Sequence, residues 1–312
     1  MVKTKHWGAL TAGGGALVAV GLLVLMVVVV EARPAEATFP GTNGNIAYAS
    51  SLDGYPEIYT IPQNGGTPVP LTDNNVLDFE PSYSPDGTKI AYSGEDPTDG
   101  DWAVYTIDAT GGTPFNVTNN TSADGSPSYS PDGTKITYTG IDPTDGDQEI
   151  YTISATGGTP FNVTNNTTKD FFPDWSPNGR KIAYTSSDGT DEEIYKINAS
   201  GGVPVPVTNN DTLDRDPSYS PDGTKIAYTH DDGNDFEIYK IPQKGGTPVP
   251  LTNNKKFDSE PSYSPDGTKI AYKANDANDY EIYKIPQKGG TPVRVTKNDF
   301  VDDRQPSWGS TP

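Results

Sequence analysis

Two copies of one acidic stretch stand out as residues that could do chemistry. Asp96-Pro97-Thr98-Asp99-Gly100-Asp101 and Asp142-Pro143-Thr144-Asp145-Gly146-Asp147 each hold three carboxylates around a glycine. Hard oxygen ligands gathered in one flexible loop suit Ca2+, which accepts about six to eight oxygens in irregular geometry. The expectation is weak Ca2+ binding, with Asp96, Asp99, Asp101, Asp142, Asp145 and Asp147 as ligands. Against it, no bidentate Glu follows at the twelfth position, and a plain solvated turn needs the same residues. A second acidic set is positional. Asp78, Asp124, Asp170, Asp214, Asp258 and Asp303 each lie three residues before a recurring proline. Such an Asp can tie down the loop that leads into a strand. Six of them would also form a ring of carboxylates around the mouth of a central channel.

Other chemistries lack their parts. The chain has no cysteine, and beyond residue 6 its one histidine is His230. A nucleophile activated by histidine therefore has one candidate base, and the order of residues around His230 places it in a polar, solvated loop. No Gly-x-Ser-x-Gly elbow is present. Beyond residue 37 the arginines are Arg180, Arg215, Arg294 and Arg304, in unlike positions, so they form no repeated clamp for a carboxylate substrate. Paired carboxylates acting on a glycan remain the one enzyme chemistry open.

These residues are carried on a repeat. Pro81-Ser-Tyr-Ser-Pro-Asp-Gly-Thr-Lys-Ile-Ala-Tyr92 recurs from Pro127, Pro173, Pro217 and Pro261, with a truncated copy at Pro306, in steps of 46, 46, 44, 44 and 45 residues. A fixed period of that size marks a repeat architecture. Each copy reads as a strand (82–84 in the first), a Pro-Asp-Gly turn and a second strand (89–92). A third strand follows, as in Glu57-Ile-Tyr-Thr-Ile61, then a Gly-Gly hairpin turn. A fourth, such as 67–72, carries alternate prolines, which confines it to an edge. Four antiparallel strands taken six times give an all-β, six-bladed β-propeller. The blades are expected at about 41–80 plus 306–309, 81–126, 127–172, 173–216, 217–260 and 261–305. The first begins at Ile46 without an inner strand, and Pro306 to Gly309 should complete it. Small serines (Ser82, Ser128, Ser218, Ser262, Ser307) suit the crowded axis, and Tyr83, Tyr129, Trp175, Tyr219, Tyr263 and Trp308 should fill the space between blades.

The run Pro-Ser-Tyr-Ser-Pro-Asp-Gly-Thr-Lys-Ile-Ala-Tyr, then Glu-Ile-Tyr, then Gly-Gly-Thr-Pro-Val-Pro-Leu-Thr, resembles the TolB-type, WD-repeat-like propeller over about residues 40–309. The resemblance implies a scaffold that hosts unlike functions. Members of TolB proper carry an α/β domain before the propeller, and the expectation here is a chain without one.

Residues 1–37 have the order of a signal peptide: Lys3, Lys5 and His6, then the apolar run Ala16 to Val30, then Ala35-Glu36-Ala37. Uncleaved, residues 8–30 would be long enough for a membrane anchor. Residues 38–312 form the propeller, expected as an exported monomer. With a net charge of −20, nucleic acid is excluded as a partner, since phosphates are repelled. The reading is a non-enzymatic propeller, secreted, periplasmic or at the cell surface, that binds a protein or glycan of the cell envelope at a channel mouth. A carbohydrate-active enzyme and a surface-layer or adhesion module are the alternatives. No cofactor other than Ca2+ is expected.

Overall fold

The computed structural model describes residues 41–312 except Asp53, Asp188, Ala277 and Asn278. The expected signal peptide or anchor lies outside the described residues. Among those described, no helix is long and apolar enough to cross a membrane.

The described residues form six four-stranded antiparallel sheets. In blade 2 the inner strand is Asp78–Tyr83, followed by Lys89–Glu95, Trp102–Asp108 and the edge pair Phe115–Asn116. Edge strands are two residues long in every blade, shorter than the proline-rich 67–72 stretch suggested, because Pro has no N–H to extend the ladder. Inner strands start earlier than expected, at the aspartate three residues before the proline in five blades and at Lys169, one residue earlier still, in blade 4. A bulge separates the two, with register shifts between Phe79 and Ser82 and at the same place in the other blades. The extra residue lets proline sit in the strand without leaving a ladder bond unmade.

Neither face of a blade is buried by its own strands, so each apolar cluster spans two blades. Ala183, Ile194 and Val207 of blade 4 pack against Tyr219, Ile226, Tyr228 and Ile241 of blade 5. The second-strand tyrosines Tyr48, Tyr92, Tyr138, Tyr184, Tyr228 and Tyr272 are the largest side chains shut away from water.

The ring closes as the repeat predicts. Asp303–Ser310 pairs with Asn43–Ser50 as the inner strand of the first blade, with Ile46 opposite Trp308 and Ala47 opposite Ser307. Trp308, 3% exposed, fills the cluster between blade 6 and blade 1, beside Ala271, Ile282 and Tyr48. Trp308→Ala should cost about 3–5 kcal/mol, a large part of the stability of a typical domain, about 5–15 kcal/mol. Thermal unfolding checks it, and an unchanged melting temperature would show that closure does not depend on this contact.

Candidate functional site

The six bulges place one residue each around the channel: Glu80, Ser126, Phe172, Asp216, Glu260 and Gln305, all with φ between 52° and 57°. A side chain there strains the backbone by about 1–3 kcal/mol per residue, so the surroundings must hold it. They do so blade to blade. The amide of each bulge residue donates to a side chain of the preceding blade: Phe172 to Thr139 Oγ1 (3.2 Å), Asp216 to Thr185 Oγ1 (3.2 Å) and Glu260 to Thr229 Oγ1 (3.1 Å). Gln305 donates to Glu260 Oε2 (2.8 Å), Glu80 to Gln305 Oε1 (3.1 Å) and Ser126 to Glu80 Oε2 (2.6 Å). The carboxylates among them are engaged at once. Glu80 also accepts from Ser93 Oγ, Asp216 from Thr229 Oγ1, and Glu260 pairs with Lys273 at 2.6 Å. Burial pushes Asp216 up to about 6.

Beside this ring the mouth opens into a cavity of about 650 Å³ with two unlike walls. On blades 2 to 4, Phe79 and Trp102 lie 5.9 Å apart between ring centroids, and Phe171 meets Phe172 edge to face at 5.1 Å. On the other side stand Arg215 and Arg304. Arg215 is held by Glu192 at 2.9 Å and lies over Phe236, and Arg304 is held by Asp302 and lies over Tyr280. Sequence reasoning passed over these residues because they vary from blade to blade at repeat positions. Their signal is the departure itself: Phe, Gly, Phe, Arg, Ser and Arg at the residue after the recurring aspartate.

The six aspartates lie elsewhere. Asp78, Asp124, Asp170, Asp214, Asp258 and Asp303 are at most 3% exposed, so they do not form a solvent-facing ring. They open the inner strands, and an asparagine of the entering loop holds each one: Asn74 Nδ2 donates to Asp78 at 2.8 Å, Asn120 to Asp124 at 2.7 Å, Asn254 to Asp258 at 2.6 Å. The glutamate of Glu-Ile-Tyr meets the same loop, as Glu57 Oε1 accepts from the Asn74 amide at 2.8 Å. Buried oxygens Glu57 Oε2, Glu193 Oε2, Glu237 Oε2 and Asp258 Oδ1 find no donor. Two facing carboxyl groups in that position can share a proton, which supplies the missing donor. Desolvation accordingly pushes Asp78, Asp258, Asp303, Glu149 and Glu193 up to about 7. Blade 2 has Ala103 in place of the glutamate, and desolvation pushes Asp124 up to about 6, as it does Asp170.

His230 is also relocated. It belongs to the strand Lys225–Asp231, not to a solvated loop, and its Nδ1 lies 2.6 Å from Asp214 Oδ1. The hydrogen bond to Asp214 raises its pKa. Arg294 plays the same compensating part in blade 6, reaching Glu281 and, at 2.8 Å, Asp276. Asp276, Asp279 and Glu281 are the one group of three acidic side chains among the described residues whose oxygens converge within 4.8 Å, and the guanidinium already pairs with two of them, Asp276 and Glu281.

In the two loops considered for Ca2+, Asp96 Oδ1 accepts from the Thr98 amide and hydroxyl, and Oδ2 from Tyr105 Oη and Asn116 Nδ2. The Thr98 bonds hold Asp96 down at about 2. Asp142 is used alike by Thr144, Tyr151 and Asn162. Asp99 Oδ1 accepts the Asp101 amide at 3.1 Å, and Asp145 Oδ1 faces the Asp147 amide at 3.5 Å. Asp96 and Asp142 thus serve the hydrogen bonds of their own loops, while no bond engages the Asp147 Oδ1 atom.

Comparison with known proteins now decides the family. The model of the TolB β-propeller domain matches residues 141–311. The chain belongs to that family. No curated protein matches the sequence. Among solved structures, this TolB-family chain is similar to TolB from Acinetobacter baumannii, at TM-score 0.71 and 24% identity over 86% of this chain and 67% of that one. It is similar to a chain of the nidogen–laminin complex, at TM-score 0.68 and 9% identity over 85% and 97%. An oligogalacturonate lyase in complex with manganese gives TM-score 0.58 and 19% identity over 81% and 74%. At these identities the likeness is one of fold.

The shared-proton junctions make TolB-family stability here depend on pH. Groups raised to about 7 in the folded chain and about 4 when unfolded bind more protons folded, so their contribution is full below pH 4 and lost as pH rises through 7. His230, also raised, acts in the same direction near neutrality. The melting temperature should fall between about pH 5 and about pH 8, and Asp258→Asn should flatten the slope. A melting temperature that rises across this window would refute the shared protons.

Proposed function

We propose that this propeller is an exported, non-enzymatic binding module whose site is the channel mouth, and that its ligand is a protein segment of the cell envelope. The cavity joining the Phe79–Trp102 and Phe171–Phe172 pairs to Arg215 and Arg304 carries the reading. Aromatic and arginine side chains are the residues that dominate protein interfaces, because they bury much area with few rotatable bonds and offer fixed donors. Their walls suit an extended segment with an apolar side chain at one end and a carboxylate at the other. A propeller of this fold also occurs in the nidogen–laminin complex, an assembly of proteins. Export rests on the order of residues 1–37, with its basic start, apolar run and Ala35-Glu36-Ala37.

The carbohydrate-active alternative would use paired channel carboxylates. Glu80 and Glu260 are each held by neighbouring amides and by a hydroxyl or an ammonium, which leaves no pair poised around a substrate bond. Immobilised wild type and a Phe79→Ser/Trp102→Ala/Arg304→Ala variant with an unchanged melting profile should be exposed to envelope extract. A captured protein would then be cut into segments and titrated against both. The variant should lose about 2 kcal/mol or more, roughly thirtyfold in affinity. Equal binding by both would move the site away from the mouth.

A further inference from the structure

The opposite side of the disc, where the Pro-Asp-Gly turns lie, carries a second asymmetry. In blades 4, 5 and 6 the third strand places a lysine opposite the second-strand alanine: Lys196, Lys240 and Lys284. Each ammonium crosses to the next blade and donates to a backbone carbonyl there, of Gln243, Gln287 and Gln63 respectively. The lysines thereby bolt three junctions shut. Blades 2 and 3 have Thr106 and Thr152 at that position, too short to reach across. The junctions after them stay open as clefts of about 640 and 630 Å³.

The two clefts are built alike. Phe115 walls the first and Phe161 the second, where blades 1, 4, 5 and 6 have Val69, Val205, Val249 and Val293. These rings are half exposed, and each leans onto the next blade: a methyl group on Gly157 would stand 3.8 Å from Phe115 Cζ, and one on Gly201 as far from Phe161 Cζ. In the wall opposite, Tyr129 lines the first cleft and Trp175 the second. Both side chains are more than nine-tenths buried, and Tyr129 Oη and Trp175 Nε1 have no hydrogen-bond partner. Tyr219, Tyr263 and Trp308 carry the same buried, unpartnered atom at the lysine-closed junctions, so what sets Tyr129 and Trp175 apart is the cleft that their side chains line. Asp132 lines both and makes them neighbours; its Oδ1 is taken up by Ser130 and Thr134, while Oδ2 makes no hydrogen bond.

We propose that these clefts are paired glycan subsites that take a neutral oligosaccharide, each seating one sugar ring against Phe115 or Phe161. A flat apolar wall suits the C–H face of a pyranose. An unpartnered donor in the opposite wall and hydroxyl and carboxylate groups in the lining suit its ring oxygens and hydroxyls. Charge selects against an anionic chain: Asp86 and Asp132 line the first cleft, where Asp108 at 2.6 Å neutralises the ammonium of Lys89, Asp132 and Lys135 balance one another in the lining of the second, and the protein as a whole carries −20. Because the subsites adjoin, an oligosaccharide that fills both gains by linkage what neither gives alone.

The fold supplies its own test. Thr106→Lys with Thr152→Lys installs the closure that blades 4 to 6 already use, and Phe115→Val with Phe161→Val installs the valine of the other blades. Calorimetry with maltohexaose and with chitohexaose as probes should give binding for wild type with one of them. Both double variants should lose about tenfold or more in affinity, while the lysine pair melts at or above the wild-type temperature. Heat from neither sugar would overturn the proposal. So would binding that survives the lysine closure, that is lost instead in Trp102→Ala at the mouth, or that is found only with an apolar peptide.

Discussion

The structure depends on what a blade cannot do alone. An antiparallel sheet with apolar side chains on both faces must find a neighbour on each, and only a closed ring gives every blade two. Closure also requires tapering towards the axis, which the inner strand achieves with a bulge before its proline. The bulge frees an amide at the channel wall, where no ladder partner remains, and a freed amide in a crowded wall needs an acceptor. The preceding blade supplies one each time, from Thr139, Thr185, Thr229, Glu80, Glu260 or Gln305. A second tier runs below it. The next inner-strand amide donates to a hydroxyl of the preceding blade, as Tyr263 to Ser218, Trp308 to Ser262 and Tyr83 to Ser307. Ring closure by the C-terminal strand is therefore one more copy of a joint made at every blade.

The repeat explains why so much of the architecture could be read in advance. Pro-Asp-Gly at 85–87 turns as its composition requires: Asp86 Oδ1 accepts from Ser84 and Thr88, and Gly87 takes a φ of 71° close against Ser310. Tyr48 and its five equivalents sit between blades because a large apolar side chain repeated at a fixed period can have only one kind of environment. What the period hid is direction. Asp78 and its equivalents recur as faithfully as the tyrosines, and recurrence alone does not say whether a carboxylate faces a channel or a junction. The answer lay in their partners, Asn74 four residues before Asp78 and Glu57 on the third strand of the preceding blade, which recur with the same period except where Ala103 replaces the glutamate. The serines at 82, 218, 262 and 307 were legible as small, but their hydroxyls act as acceptors between blades. In blade 4, Asp174 takes that place and reaches both Ser128 and the Tyr219 amide, at 3.2 and 2.7 Å.

Function is less legible for the opposite reason. Residues that hold the ring must repeat, so a residue free to recognise something is one that does not. Phe79, Phe171, Arg215 and Arg304 share a repeat position with Gly125 and Ser259, and the mouth acquires an aromatic side and a cationic side from these departures. His230 is instructive in the same way. It replaces a small residue at the end of the second strand, where Gly94, Gly140 and Ala274 stand in other blades. Its ring can enter only because it brings a partner for Asp214. A departure thus either repairs the junction, as His230 and Arg294 do, or opens a surface, as the mouth residues do, and contacts rather than identity separate the two.

Both kinds of departure follow one line around the ring. Blades 4 to 6 carry the lysines that cross the lower junctions and the cations that answer buried carboxylates, His230 and Arg294. Blades 2 and 3 carry neither; they keep Thr106 and Thr152 below, beside Phe115 and Phe161. Bolting a junction with a buried ammonium has an energetic cost, visible as the desolvation that lowers the pKa of Lys196, Lys240 and Lys284, and the backbone carbonyl each one meets offsets it. Where no bolt is present, the apolar cluster and the inner-strand hydrogen bonds hold the junction, through Val117, Tyr129 and Ile136 in one case and Val163, Trp175 and Ile182 in the other. Those clusters lie deep enough to leave the outer part of each junction unfilled. One half of the disc is thus committed to holding the ring together, and that leaves the other half free to vary its surface without opening it.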